Sequence, residues 1–167
     1  MTITVPIQLS CEEIVHLHGD MVYRIAITQT RHKEDAEDIF QEVFIALMGH
    51  LHSIESETHL KHWLIRTTIN RCKNHHLCFW KQRVTLLPEQ TDSPLPQEEH
   101  ALIDEVREAL AQLPSKLRSP TYLYYYEGYR VEEIATILEL PSGTVKSRLH
   151  TARGRLKLKL EEARSYE

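Results

Sequence analysis

Between Lys61 and Arg83 every charged side chain is basic: Lys61, Arg66, Arg71, Lys73, Lys81 and Arg83. The same holds from Pro141 to Leu160, where Lys146, Arg148, Arg153, Arg155, Lys157 and Lys159 stand with no acid among them. Cations at this density suit a phosphate backbone, because each one that meets a phosphate releases a condensed counterion. A net charge of −4 hides both blocks, since the acids gather mainly at 34–57, at 89–108 and at the C-terminus. Basic stretches set between acidic ones predict two anionic contacts and a basic protein partner.

Other chemistry is weaker. Eleven histidines and the segment RCKNHHLC (71–78) invite a metal-ion reading. On one helix, however, Cys72 and His76 pair one turn apart, as do His75 and Cys78, and the two pairs point in different directions. A tetrahedral zinc site wants ligands that converge from a turn or from two elements. The residues read as core cysteines with solvated or phosphate-facing histidines, and no metal is assigned. The chain has no phosphate-cradling glycine loop, nucleophile motif or convergent carboxylate pair, so no catalytic residue and no cofactor is assigned, and the chain reads as not an enzyme. Three cysteines in no framework spacing favour a reducing compartment. With no secretory pattern at the start and no apolar run near the roughly 20 residues of a membrane span, the expectation is a cytoplasmic protein without membrane insertion.

The elements that must carry the basic blocks are helices. Only five glycines and long 3.6-residue periodicities predict an all-α fold. Residues 11–31 form a helix with Ile14, Leu17, Met21 and Ile25 on its apolar stripe. Residues 34–49 form a second, opening on acids and ending at Gly49, with Ile39, Val43, Phe44 and Leu47 inward. A third runs over 59–80 with Leu60, Trp63, Leu64, Thr67 and Cys72 at core positions. The stretch LLPEQTDSPLPQ loses the periodicity and reads as a flexible tether. Helices at 98–112, 116–127, 131–138 and 142–160 follow, Gly128 stopping the second of them. Three parts result: 1–83, a linker at 84–99, and 100–167.

The last part reads as a helix-turn-helix. VEEIATIL buries Val131, Ile134, Ala135 and Leu138; Leu140-Pro141 turns the chain; Ser142 can cap the next helix, which buries Val145 and Leu149. In such motifs the second helix enters the major groove. Ser142, Thr144, Lys146, Ser147, Arg148, His150 and Arg153 are then the DNA-binding candidates, because Lys and Arg grip guanine or phosphate and Ser and Thr serve either purpose. EGYRVEEIATILELPSGTVKSRLHTARGRL closely resembles the −35 element-binding domain of extracytoplasmic-function (ECF) sigma factors, a subfamily of the sigma-70 family. The pieces EG, EIA, GTVKSRL and AR-x-x-L stand in that family's order, and LPSKLRSPTYLYYYEG before them is similar too.

Upstream, DAEDIFQEVFIAL (35–47) resembles the sigma-factor helix that docks on the largest subunits of core RNA polymerase. Asp35, Asp38, Gln41, Glu42 and Phe44 fall on the family's motif positions. Independently, Asp38, Gln41, Glu42 and Ile45 recur at helical spacing as one partly acidic face, suited to a basic partner helix. HWLIRTTINRCKNHHLCFWKQR (62–83) resembles the segment that melts and reads the −10 element, matching at Trp63, Leu64, Arg66 and Asn70. Lys61, Arg66, Arg71 and Lys73 can follow phosphates, Asn70 can bond a base, and Trp63 sits on the apolar stripe, which makes it core before stacking platform. In the family, the preceding loop, here about 50–59, forms a pocket for a flipped −10 base.

Together these resemblances imply two small helical domains: an N-terminal sigma-2-like helical bundle and a C-terminal sigma-4-like helix-turn-helix. They imply an alternative sigma factor, with core RNA polymerase and promoter DNA as partners and an anti-sigma factor as a further one. Departures concern promoter choice. Glu139 holds the position of a turn glycine, Arg130 that of a small capping hydroxyl, and Thr151 that of an arginine. Thr67-Thr68 replaces a more apolar pair, and Asn74 an acid. Two other readings remain open at this level: a stand-alone helix-turn-helix regulator, and a metal- or redox-sensing protein built on Cys72–Cys78.

Overall fold

The computed structural model describes residues 7–83 and 101–165, with side chains described at 7–75, 106–162 and 165. Every regular element among them is helical. The chain divides into two compact units, Met1–Asp92 and Ser93–Glu167. The expected tether at 84–99 and the first residues of the helix expected from 98 lie outside the described residues.

In the first unit α1 (Cys11–Thr30), α2 (Lys33–His50) and α3 (Glu57–Arg83) pack pairwise, all three in mutual contact. Ser10 starts α1 with a reciprocal cap: its hydroxyl accepts from the Glu13 amide at 3.2 Å, and the Glu13 carboxylate accepts from the Ser10 amide at 2.7 Å. Arg31 ends the helix in the left-handed region, its amide donating to the Ile27 carbonyl at 2.9 Å. The core comprises Ile14, Val22, Ile25, Ile39, Val43, Leu47, Leu60, Leu64, Ile65 and Ile69.

Two expected core positions move by one residue. Leu17 is 59% exposed and His18 is buried in its place, because the inward arc of α1 is centred on Ile14, His18, Met21, Val22 and Ile25. On α3 Thr68 is buried and Thr67 is not; the Thr68 hydroxyl donates to the Leu64 carbonyl at 2.6 Å, which lets a polar side chain sit in the core. Trp63 is likewise not buried but half-exposed.

In the second unit α7 (Ser142–Ser165) packs against α4 (Ala101–Ala111), α5 (Ser115–Tyr125) and α6 (Val131–Leu138). Leu110, Leu113, Leu117, Leu123, Ile134, Ile137, Val145, Leu149 and Ala152 form its core. Arg118 reaches back to close α4, donating to the Ala111 and Leu113 carbonyls at 2.6 Å each, a cation at a helix C-terminus. The helix α5 ends at Tyr125, earlier than expected, and Gly128 turns the chain at φ 72. Val131 and Leu138, expected inside, are half-exposed, and Ile137 is buried instead.

Candidate polymerase and nucleic-acid interfaces

The acids of α2 do not all face the same way. Asp38, Gln41, Glu42 and Ile45 are exposed along one side, with Ile45 at 68%. Met48, one further turn along and 67% exposed, extends that side with a second apolar member. Sequence reasoning missed it although its spacing from Ile45 was visible. Phe44 departs from its expected docking role: its side chain is 6% exposed and its ring packs on Phe40 at 4.8 Å, so it supports the face from beneath. Asp35 is half-buried and points to His75 of α3 at 3.8 Å.

The basic residues of α3 also separate. Trp63, Arg66, Asn70 and Lys73 lie at helical spacing on the side away from the core residues Leu60, Leu64, Thr68 and Cys72. Arg71 instead faces α2, where it donates to Glu42 at 3.3 Å. Lys61 lies on the α1 side, close enough that its charge acts on His18. The His18 pKa is lowered from 6.5, chiefly by burial and next by Lys61, against an opposing pull from Glu57. The Nε2 atom of His18 is buried with no hydrogen-bond partner. Cys72 is buried and forms no disulfide. Among the described residues no three metal-ligating side chains converge.

The segment 50–59, running from the last residue of α2 into the first turn of α3, is compact. It makes one 3-10 turn, Leu51–Ser53, and is anchored by Ile54, which is 1% exposed. The Ser53 hydroxyl donates to the His50 carbonyl at 2.8 Å, the Ser56 hydroxyl accepts from the His59 amide at 3.0 Å, and His59 Nδ1 accepts from the Glu55 amide at 3.2 Å. The His50 ring lies over Trp63 with centroids 5.4 Å apart, so an aromatic step stands where this loop meets the outward side of α3.

In the second unit α6 and α7 form the expected helix-turn-helix. The turn is a Schellman closure: the Leu140 amide donates to Ala135 at 2.9 Å and the Glu139 amide to Thr136 at 3.4 Å, with Glu139 at φ 54. Arg130 has no side-chain acceptor, so only half of a capping box forms ahead of α6, the Glu133 carboxylate accepting from the Arg130 amide at 2.8 Å. The cap of α7 differs from expectation too. The Pro141 carbonyl accepts from Thr144 and Val145 at 3.0 and 3.2 Å, which makes Pro141 the cap and Ser142 the first helical residue.

With Val145, Leu149 and Ala152 inward, the rest of α7 sorts into three rows. Lys146, His150, Arg153 and Lys157 line one edge, and Ser142 lies near it. Thr144, Arg148 and Arg155 line the other. Gly143, Ser147, Thr151 and Gly154 run between them, all exposed. A Cβ on Gly143 or Gly154 would meet open space, so packing does not require these glycines. A narrow centre between two cationic edges allows close approach to base edges while both backbones are gripped. Arg153 Nε donates to the Tyr125 hydroxyl at 2.6 Å, a bond that raises the arginine pKa further.

Residues 14–80 match the family model for Sigma-70 region 2, and residues 103–156 match that for Sigma-70, region 4. Over 151 residues the chain is 31% identical to the ECF RNA polymerase sigma factor SigL of Mycobacterium tuberculosis, covering 87% of this chain and 85% of that protein. The chain belongs to the ECF RNA polymerase sigma factors. As a member it is an alternative sigma factor, directing RNA polymerase to promoters to initiate transcription. The ECF sigma factor SigE of Mycolicibacterium smegmatis is 33% identical over 156 residues, which is 89% of this chain but 60% of that protein. The fold of this sigma factor is also that of RpoE from Bartonella quintana, solved with the anti-sigma factor NepR, at a TM-score of 0.77, 23% identity, and coverage of 90% and 96% of the two chains. CnrH, solved with the cytosolic domain of CnrY, is similar at a TM-score of 0.65 and 20% identity, covering 91% and 88%. No helix among the described residues of the sigma factor is long and apolar enough to cross a membrane.

Proposed function

We propose that the two units divide the work of promoter recognition as follows. Core RNA polymerase binds the exposed side of α2 through Asp38, Gln41, Glu42 and Ile45, with Met48 extending the contact. The outward side of α3 (Trp63, Arg66, Asn70 and Lys73) and the 50–59 loop take the −10 element as single strand. The three rows of α7 take the −35 duplex. The observation that carries this reading is the presence, in one chain, of an exposed partly acidic helix face beside one basic helix, and of a second basic helix with a small-residue centre. Charge of opposite sign steers each surface to its own partner. Joining two weak DNA contacts through one polymerase raises their combined affinity far above either alone.

In this reading the protein catalyses nothing itself, acts where polymerase is, in the cytoplasm, and is held inactive by an anti-sigma factor that covers the α2 and α7 faces. Support for that last partner comes from the RpoE–NepR and CnrH–CnrY complexes.

Transcription from a pooled promoter library by core polymerase, with and without the purified protein, tests the proposal. Start sites that appear only with the protein support it, and their aligned upstream sequences supply the two elements. No new starts, together with a shift of duplex DNA in the absence of polymerase, would make the protein a stand-alone regulator. Within that assay Arg148→Ala is expected to weaken −35-dependent starts.

A further inference from the structure

Among the described cations of α7, Arg153 has the most specific surroundings. Besides the Nε bond to the Tyr125 hydroxyl, its guanidinium carbon lies 5.6 Å from the centroid of the Tyr124 ring and 5.8 Å from that of Tyr125. Those two rings meet edge to face, 5.0 Å apart at 77°, and form a corner at the end of α5, which packs on α7. Even so, Arg153 is exposed, and Tyr125 is 52% exposed beside it.

The chemistry of this corner is unusual for an anchor. A carboxylate would hold the guanidinium more tightly but cancel its charge; a phenol and two ring faces orient it and leave the charge whole. With Nε occupied, the two terminal nitrogens remain to meet two oxygens of one phosphate. The rotamer freedom of a long side chain is then given up before DNA arrives.

We propose that Tyr125, with Tyr124 beside it, is a positioning residue for −35 binding, presetting Arg153 as a phosphate fork at one edge of α7. The inference rests on the reading of α7 as the DNA-facing helix. It predicts that the tyrosine hydroxyl changes DNA affinity only through Arg153.

The experiment measures the affinity of the full-length protein with core polymerase for a promoter duplex over a range of salt concentrations. Arg153→Ala should lower the salt slope by about one, the signature of one lost phosphate contact. Tyr125→Glu should lower it similarly by neutralising the guanidinium. Tyr125→Phe, which keeps the ring and removes the hydroxyl, should weaken binding about threefold to tenfold with the slope intact, the scale of one unfrozen side chain. In the Arg153→Ala background Tyr125→Phe should have no effect. A Tyr125→Phe effect that persists undiminished in that background overturns the proposal, as does a Tyr125→Phe protein that binds like wild type. Lys146→Ala separates the two levels. If it weakens binding while Arg153→Ala does not, α7 remains the DNA helix and the role of Tyr125 falls. If neither changes binding, the reading of α7 itself falls.

Discussion

The two basic helices hold their charges differently. On α3, Arg71 and His75 each face a carboxylate of α2, Glu42 at 3.3 Å and Asp35 at 3.8 Å, and both acids lie on or beside the proposed docking face. On α7, Arg153 leans on a phenol and Lys159 on the amide of Gln112, both neutral. Among the described residues Lys157 and Glu161 form an exposed pair at 3.9 Å within the same helix, and exposed pairs of this kind contribute about 0–1 kcal/mol. In the proposed reading the first unit shares charge between its docking face and its DNA helix, whereas on α7 Arg153 and Lys159 have neutral partners that leave their charge available to a phosphate backbone.

The largest expected effect breaks the first half of that contrast. Glu42→Lys places a cation on the docking face and beside Arg71, and should lower affinity for core polymerase by about tenfold to a hundredfold, since like charges across an interface are strongly unfavourable. Adding Arg71→Glu restores an ion pair of opposite sense between α2 and α3. Thermal stability should then recover while polymerase affinity does not. Recovery of both would mean that Glu42 acts by holding Arg71 and not by touching the partner.

Much of this arrangement was legible in the sequence because it follows helical period. The acids Asp38 and Glu42 with Gln41 and Ile45, and the cations Lys146, Arg148 and Arg153, sit where 3.6-residue spacing puts them. What was not legible is which neighbour each side chain meets. Arg71 looked like any other cation of its block until α2 placed Glu42 against it. Leu17 and Thr67 looked as apolar-facing as His18 and Thr68, because a hydrophobic stripe fixes the direction of the core only to within a residue. The burial of Thr68 depends on a bond to its own helix backbone that no pattern of residue types announces. Tyr125 was overlooked for a related reason: in LYYYEG three adjacent tyrosines differ only in which of them the fold brings to Arg153.

A second comparison, within the first unit, concerns buried polarity. His18 is 5% exposed and its Nε2 has no partner, whereas the buried Thr68 hydroxyl donates at 2.6 Å to the Leu64 carbonyl. Facing His18 from α3 are Lys61, which adds to the effect of burial in lowering its pKa below 6.5, and Glu57, which opposes it. A depressed pKa means the unfolded chain takes up the proton first, so the stability His18 permits is present above pH 6.5 and is lost as pH falls below it. His18→Leu should therefore raise stability by about 1 kcal/mol at neutral pH, the cost of an unmet buried polar group. The gain should grow as pH falls from 7 to 5.5, measured as the difference in melting temperature between variant and wild type. Taking the difference cancels the other histidines. A gain that stays constant over that range would show that His18 takes no part in the pH response.

The smallest expected effect lies in the turn that sets α7 against α6. Glu139 and Gly128 both occupy the left-handed region, at φ 54 and φ 72, but only one of them is the residue that conformation favours. A side chain there costs about 1 kcal/mol from the approach of Cβ to the following carbonyl. Glu139→Gly removes that strain and gives part of it back as extra freedom in the unfolded chain. A net gain of about 0.5 kcal/mol follows, or roughly 2–4 °C in the melting temperature of a unit this size. Gly128→Ala should shift it in the opposite direction. The Schellman bonds of Leu140 and Glu139 use backbone atoms alone, so Glu139→Gly leaves them in place and the angle between α6 and α7 should not change. Affinity for the −35 duplex should accordingly stay at the wild-type value while the melting temperature rises. A drop in affinity with the rise in stability would place the Glu139 carboxylate in promoter choice and not merely in the turn. A fall in melting temperature would show that this carboxylate stabilises the unit by more than the strain it imposes.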